Sequence, residues 1–167
     1  MNVRLRLASE ADQNDVGVLH HRSRAAAYAH LLPADAFTSR GHEALGEWWA
    51  ERFRWERETH RMTLAEDDGE LVGFTYVGPS ETEGAVELYA IHVAPERVGT
   101  GVGRTLMIDA LAGLAEAGGD RAVLWVLEDN VVARTFYENG GWVPDGGSRV
   151  GPINGRSLPQ LRYAHPL

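Results

Sequence analysis

Apolar and polar residues alternate from the start of the chain. In "MNVRLRLASE", Val3, Leu5 and Leu7 are separated by polar residues, the two-residue period of a half-buried strand. Ser9 or Asp12 stands where a helix cap is expected, and a helix should run from there to about residue 29. "HLLPADAF" breaks it. A second helix is expected over about residues 42–57, carrying Trp48, Trp49, Phe53 and Trp55. "RMTLAEDDGELVGFTYVG" reads as a hairpin around Asp-Asp-Gly, "PSETEG" as a polar turn, and "AVELYAIHV" as a further strand closed by Pro95.

Beyond that strand, Val102, Leu106, Ala110, Leu111 and Leu114 recur at helical spacing, and Gly118 and Gly119 end the helix. "AVLWVL" reads as a buried strand. Asp129 or Asn130 caps a short helix that Gly140 and Gly141 stop. The tail holds two more strand candidates around a long loop, "PDGGSRVGPINGR". The order β α α β β β α β α β β predicts an α/β (α+β) fold with one mixed sheet and helices on its faces.

Composition narrows the chemistry. The 167 residues suit one domain, residues 1–167. There is no cysteine, which excludes disulfides, a thiol nucleophile and thiolate metal sites. All 16 basic residues are arginine, so neither a P-loop lysine nor a Schiff-base lysine is present. A net charge of −8 argues against a nucleic-acid partner, because phosphate binding needs clustered positive charge. It leans toward a cationic acceptor. No apolar run approaches the roughly 20 residues of a membrane span, and the alternating N-terminus lacks the apolar core of a secretory signal. A cytoplasmic protein with no membrane partner is expected.

The stretch "PERVGTGVGR" raises the functional question. Gly99, Gly101 and Gly103 occupy alternate positions between a strand and a helix start. Unpaired N–H groups at a helix N-terminus attract anions, and glycine lets the backbone approach a phosphate closely. A mobile loop would look the same. Walker and dinucleotide motifs fail on spacing: there is no Gly-Lys-Ser/Thr, and the sixth position from Gly99 or Gly101 is Arg104 or Leu106.

"ELYAIHVAPERVGTGVGRTLM" followed by "NVVARTFYENGGW" resembles the GNAT family of N-acetyltransferases. The family's loop runs Arg/Gln-x-x-Gly-x-Gly/Ala around the pyrophosphate of acetyl-CoA. Gly101 and Gly103 match its glycines, whereas Val98 stands at the Arg/Gln position, removing a side-chain contact but not the backbone cradle. Asn130, Ala133, Phe136, Tyr137, Glu138, Gly141 and Trp142 match the downstream pattern. The resemblance implies a mostly antiparallel sheet with a splayed parallel strand pair, and acetyl-CoA as co-substrate; from the residue spacings no metal is expected. It implies a cofactor site of Ile91, His92 and Val93 on the strand, Val98, Gly99, Thr100, Gly101, Val102, Gly103 and Arg104 in the loop, and Asn130, Ala133 and Tyr137 beyond. The backbone of Ile91 and Val93 would meet the pantetheine arm.

Acetyl transfer to an amine needs a neutral amine, a donor for the oxyanion and a proton for the departing thiolate. By resemblance Tyr137 is the acid; otherwise it is a core aromatic with a satisfied hydroxyl. Asn130 contacts the cofactor or simply caps its helix. Glu87, sharing a strand face with Tyr89 and Ile91 on simple alternation, is the candidate base or else a solvated or salt-bridged strand residue; the resembled family often bulges this strand, which would shift the facing after the bulge. His92 is a weaker candidate base. His20 and His21, adjacent on a helix, diverge and do not form an i,i+4 metal pair. Trp48, Trp49 and Trp55 line an acceptor pocket or pack one helix face. The acceptor, a primary amine of a small molecule or peptide, is expected to meet residues 19–57, the turn at residues 79–84 and the tail loop. A catalytically silent acyl-CoA-binding or regulatory module is the alternative. Pairing of the final strands across a homodimer stays open.

Overall fold

In a computed structural model, residues 2–33, 41–153 and 155–167 are described. The end of the "HLLPADAF" break, from residue 34 on, lies outside them. The elements are β1 (Val3–Leu7), α1 (Gln13–Ala27), α2 (His42–Glu56), β2 (Arg61–Asp67), β3 (Glu70–Pro79), β4 (Ala85–Val93), α3 (Val102–Glu116), β5 (Arg121–Leu127), α4 (Val131–Asn139), β6 (Val143–Ile153) and β7 (Arg156–Pro166). This is the order that the hydrophobic pattern predicts, with 3-10 turns added at Glu10–Asp12 and Pro95–Arg97.

The seven strands form one sheet in the order β1-β2-β3-β4-β5-β7-β6. Every neighbouring pair is antiparallel except β4 and β5. Those two run parallel and pair only over Ala85–Arg121, Val86–Ala122 and Glu87–Val123. Beyond Glu87 they part, leaving backbone groups along the gap with no strand on that side.

The sheet divides the core. On one face α3 presents Val102, Leu106, Met107, Ala110 and Leu114 to Val72, Leu88, Leu124 and Tyr163. On the other, α1 and α2 pack Val16, Leu19 and Trp49 against Met62, Leu64, Phe74 and Tyr76. These helices approach closely through glycine. A Cβ on Gly17 would lie 2.4 Å from the backbone nitrogen of Gly46, a clash that the backbone cannot relieve without separating the helices.

Three expectations are corrected. The tail loop is instead a long hairpin, its glycine- and proline-rich composition hiding an irregular strand. The β6–β7 register shifts between Pro144 and Ser148, and there the Asp145 carboxylate accepts from the Gly147 N–H (2.9 Å) and pairs with Arg162 (2.7 Å). Second, the tryptophans do not share one role. Trp49 is 1% exposed, Trp48 46% and Trp55 79%, because they project in different directions from α2. Third, Ile91 does not share the face of Glu87. Tyr76 opposes Ala90 while Val77 opposes Leu88, so Tyr89 is an extra residue, a bulge that reverses the alternation beyond it. Glu87, Tyr89 and His92 face α1 and α2, whereas Leu88, Ile91 and Val93 pack toward α3.

Candidate functional site

Where β4 and β5 part, the sheet opens into a cavity of about 330 Å³. Its walls come from β4 and β5, from α1 and α2 above them, from the start of α4, and from β6 and β7. The volume lies at the low end of the range for small-molecule sites.

Two candidate catalytic residues meet there. Glu87, on the last paired position of β4, is 9% exposed and lines the cavity. Ser80, in the turn before β4, donates to Glu87 Oε1 (2.7 Å). Burial raises the carboxyl pKa, more than the Ser80 hydrogen bond and the charges of Arg149 and Arg52 lower it. Tyr137, on α4, lines the same cavity and packs beside Phe136, Trp142 and Tyr163. Its hydroxyl makes no hydrogen bond among the described residues. Burial, with a smaller effect from Tyr28, pushes its pKa up, so it is a protonated donor at neutral pH. Asn130 caps α4 by accepting from the Ala133 N–H (3.2 Å) and also lines the cavity; its two sequence readings are compatible.

His92 is in the cavity wall but is held neutral. Burial, assisted by Arg24, lowers its pKa to about 3. Its Nδ1 contacts Ser23 Oγ (3.0 Å), and its ring centroid lies 4.3 Å from that of His20. The His20 pKa also falls well below the ordinary value through burial and then His92. Trp49 Nε1 donates to His20 Nδ1 (2.9 Å), which fixes the tautomer with its proton on Nε2. A protonated pair would place two buried positive charges in contact.

Sequence reasoning missed Arg52 and Arg149. The Arg52 guanidinium lies 4.9 Å from the ring centroids of Tyr76 and Tyr89 and 5.3 Å from that of Trp48. Glu56, one turn on, pairs with it and also accepts from the Tyr76 hydroxyl (3.1 Å). The i,i+4 spacings of Trp48, Arg52 and Glu56 were a usable signal. Arg149 stacks over Trp125 at 4.2 Å and donates to Gln160 Oε1 (2.7 Å). No local signal joins residues so far apart in sequence.

The glycine loop lies outside the cavity lining. Its entry is fixed by the ion pairs Arg97–Asp67 (2.5 Å) and Arg22–Glu96 (2.7 Å). Gly99 and Gly101 have φ of +81° and +99°, and a Cβ at either would meet nothing within 4 Å. The first α3 hydrogen bond runs from the Thr105 N–H to the Gly101 carbonyl (3.0 Å), so the N–H groups of Val102, Gly103 and Arg104 precede the helical ladder. Val98 is 64% exposed. Gly99, Thr100, Gly101 and Arg104 are also exposed, while Val102 anchors the helix in the core.

Residues 25–142 match the acetyltransferase (GNAT) family. An uncharacterized N-acetyltransferase, YuaI, of Bacillus subtilis is 31% identical over 77% of this chain and 73% of its own length. A mycothiol acetyltransferase of Streptomyces bingchenggensis is 35% identical over 72% of this chain, which spans 37% of that protein. A crystal structure of the PaiA N-acetyltransferase of Thermoplasma acidophilum, in complex with coenzyme A, has the same fold, with a TM-score of 0.79 over all of both chains at 19% identity. The family match covers most of the chain, the YuaI match most of both proteins, and the parted β4–β5 pair is where the resemblance predicts it: the chain belongs to the GNAT family of acetyltransferases.

Proposed function

We propose that this protein transfers an acetyl group from acetyl-CoA to a primary amine, with Glu87 as base and Tyr137 as acid. The observation that carries this reading is that a buried carboxylate of raised pKa and an unengaged phenol line one cavity at the opening between β4 and β5. The chain also fits the co-substrate. The loop has open space over Gly99 and Gly101 and helix N–H groups suited to a diphosphate, and the gap between β4 and β5 leaves backbone groups for the amide-bearing arm.

Acetyl-CoA supplies the activated acyl group. Glu87, directly or through a water, takes the proton that keeps the acceptor amine charged, and the free electron pair on nitrogen then forms the new C–N bond. As the C–S bond breaks, the Tyr137 hydroxyl gives its proton to sulfur, releasing the free thiol, and the nitrogen, positively charged after attack, gives its second proton to water to leave the neutral amide. Solvent restores both side chains. Asn130 fixes the start of α4 and so the position of Tyr137, seven residues further on. His92 and His20 remain neutral and shape the wall.

The test is an amine panel with acetyl-CoA and a thiol readout. Thiol release that depends on amine supports transfer. Coenzyme A binding without turnover of any amine overturns the catalytic reading and favours a silent binding module.

A further inference from the structure

Resting on that reading of the site, we propose that the acceptor is a small amine that also carries a compact oxyanion, a carboxylate or phosphonate, which Arg149 holds while Glu87 faces the amine.

The whole chain carries −8, yet the cavity does not share that balance. Its lining holds three arginines, Arg24, Arg52 and Arg149, and one carboxylate, Glu87. Two of the arginines are already committed: Arg52 pairs with Glu56, and Arg24 is engaged within the chain. Arg149 differs. Among the described residues no carboxylate lies within ion-pair distance of it, and its one hydrogen bond, from Nε, goes to the neutral amide of Gln160. Gln160 is itself 8% exposed.

The arrangement is built to hold the guanidinium still. Trp125 supports its face and Gln160 Oε1 accepts from its Nε–H, leaving the two terminal nitrogens of this cavity-lining arginine without a hydrogen bond among the described residues. That is the edge which binds a carboxylate or phosphonate through paired hydrogen bonds. Glu87 has a complementary vacancy: Ser80 occupies one carboxylate oxygen and leaves the other. Arg149 and Glu87 influence each other's ionisation without forming an ion pair. A zwitterionic acceptor satisfies both, its amine at Glu87 and its oxyanion at Arg149. A polyamine would bring further positive charge toward Arg24, Arg52 and Arg149.

The experiment compares matched amines at saturating acetyl-CoA: amino acids against their amides, and aminoalkylphosphonates against the corresponding alkylamines. The oxyanion-bearing member of each pair should have kcat/KM at least about tenfold higher, as expected for a charge-assisted bidentate contact. Arg149→Met should bring the ratio within each pair toward one, and Arg149→Lys should restore part of it. Whether carboxylates or phosphonates lead identifies the anion. Equal use of both members, a preference for polyamines, or a ratio unmoved by Arg149→Met overturns the proposal. If no amine is turned over, the catalytic reading fails, and calorimetry of the same acids with the coenzyme A-saturated protein still decides this one. Binding that Arg149→Met abolishes supports it, and no binding, or binding that Arg149→Met leaves unchanged, overturns it.

Discussion

The two halves of the site are made of different material. The glycine loop offers backbone: N–H groups at the start of α3, open space over Gly99 and Gly101, and few side chains. The cavity offers side chains from α1, α2, β4, β5, α4, β6 and β7. On the proposed reading, the backbone surface would recognise what every acetyl-CoA carries and would tolerate change in side chains such as Val98 at the usual Arg/Gln position. A side-chain surface recognises one acceptor and acts on one bond, so single substitutions there should cost more.

Tyr137→Phe tests the cavity half most severely. It keeps the ring between Phe136 and Trp142 and deletes a hydroxyl with no partner to lose among the described residues. The proton proposed for it matters mainly as the thiolate departs, and such interactions raise turnover rather than ground-state affinity. A fall in kcat of about 10²-fold or more is expected, with coenzyme A affinity changed by less than about threefold and an unaltered melting temperature. Full kcat at saturating acetyl-CoA would remove Tyr137 from the mechanism.

Glu87→Gln should cost roughly 10²-fold in turnover, most at pH values where Glu87 is ionised while the acceptor amine is still charged. Its effect on stability has the opposite sign. The folded protein holds the Glu87 proton more tightly than the unfolded chain does, so the stability this gives is complete below the ordinary carboxylate pKa and is lost as pH rises through the folded value. Where the group is ionised, burial makes it a liability, and there the amide should melt at the same temperature or slightly higher. A less active and less stable variant would make Glu87 a structural residue.

On the backbone half, Gly103→Val should weaken coenzyme A binding by about tenfold, or 1.4 kcal/mol. The missing Cβ would lie 3.4 Å from the Phe136 ring and 3.6 Å from Val93 Cγ2, so a branched side chain presses α3 away from α4. Calorimetry measures the change, and circular dichroism checks the fold. Undiminished affinity would show that the loop does not depend on this close approach.

The same division sets what the sequence could reveal. Elements whose signals are local were legible: β1 from its alternation, α3 from its apolar spacing and closing glycines, α4 from Asn130 and Gly140. The glycine turn before α3 and the position of Tyr137 on α4 were legible because their motifs are contiguous. The β6–β7 hairpin was not, since its glycines and prolines read as loop while the Asp145–Arg162 pair that shapes it joins distant positions. The facing of Ile91 follows a bulge that the resemblance implies, but its position at Tyr89 is defined only against β3. His20 and His92 became a pair only once α1 lay on β4. The lean toward a cationic acceptor came from total charge, which does not describe the local balance around Arg149 and Glu87.

That histidine pair yields the smallest expected effect. His20 and His92 both have folded pKa values below the ordinary 6.5, chiefly through burial. Below that pH the unfolded chain takes up protons that the folded protein refuses, so their contribution is complete above about pH 6.5 and declines as the solution is acidified. Asp12, held at about 2 chiefly by Arg6, adds a loss only below its ordinary 3.8, so its window overlaps only the acid end of the His92 window. His60, also depressed by burial, contributes within the upper window. His92→Gln keeps a polar atom for Ser23 and removes one titrating ring, whereas replacing His20 would strand the Trp49 N–H. Melting temperatures at pH 7.5 and 5.5 should therefore differ less for His92→Gln than for the parent protein, with His20 and His60 preserving part of the slope. An unchanged difference would mean that His92 accepts a proton in the folded state as readily as in the unfolded chain, and that the wall between α1 and β4 opens to water.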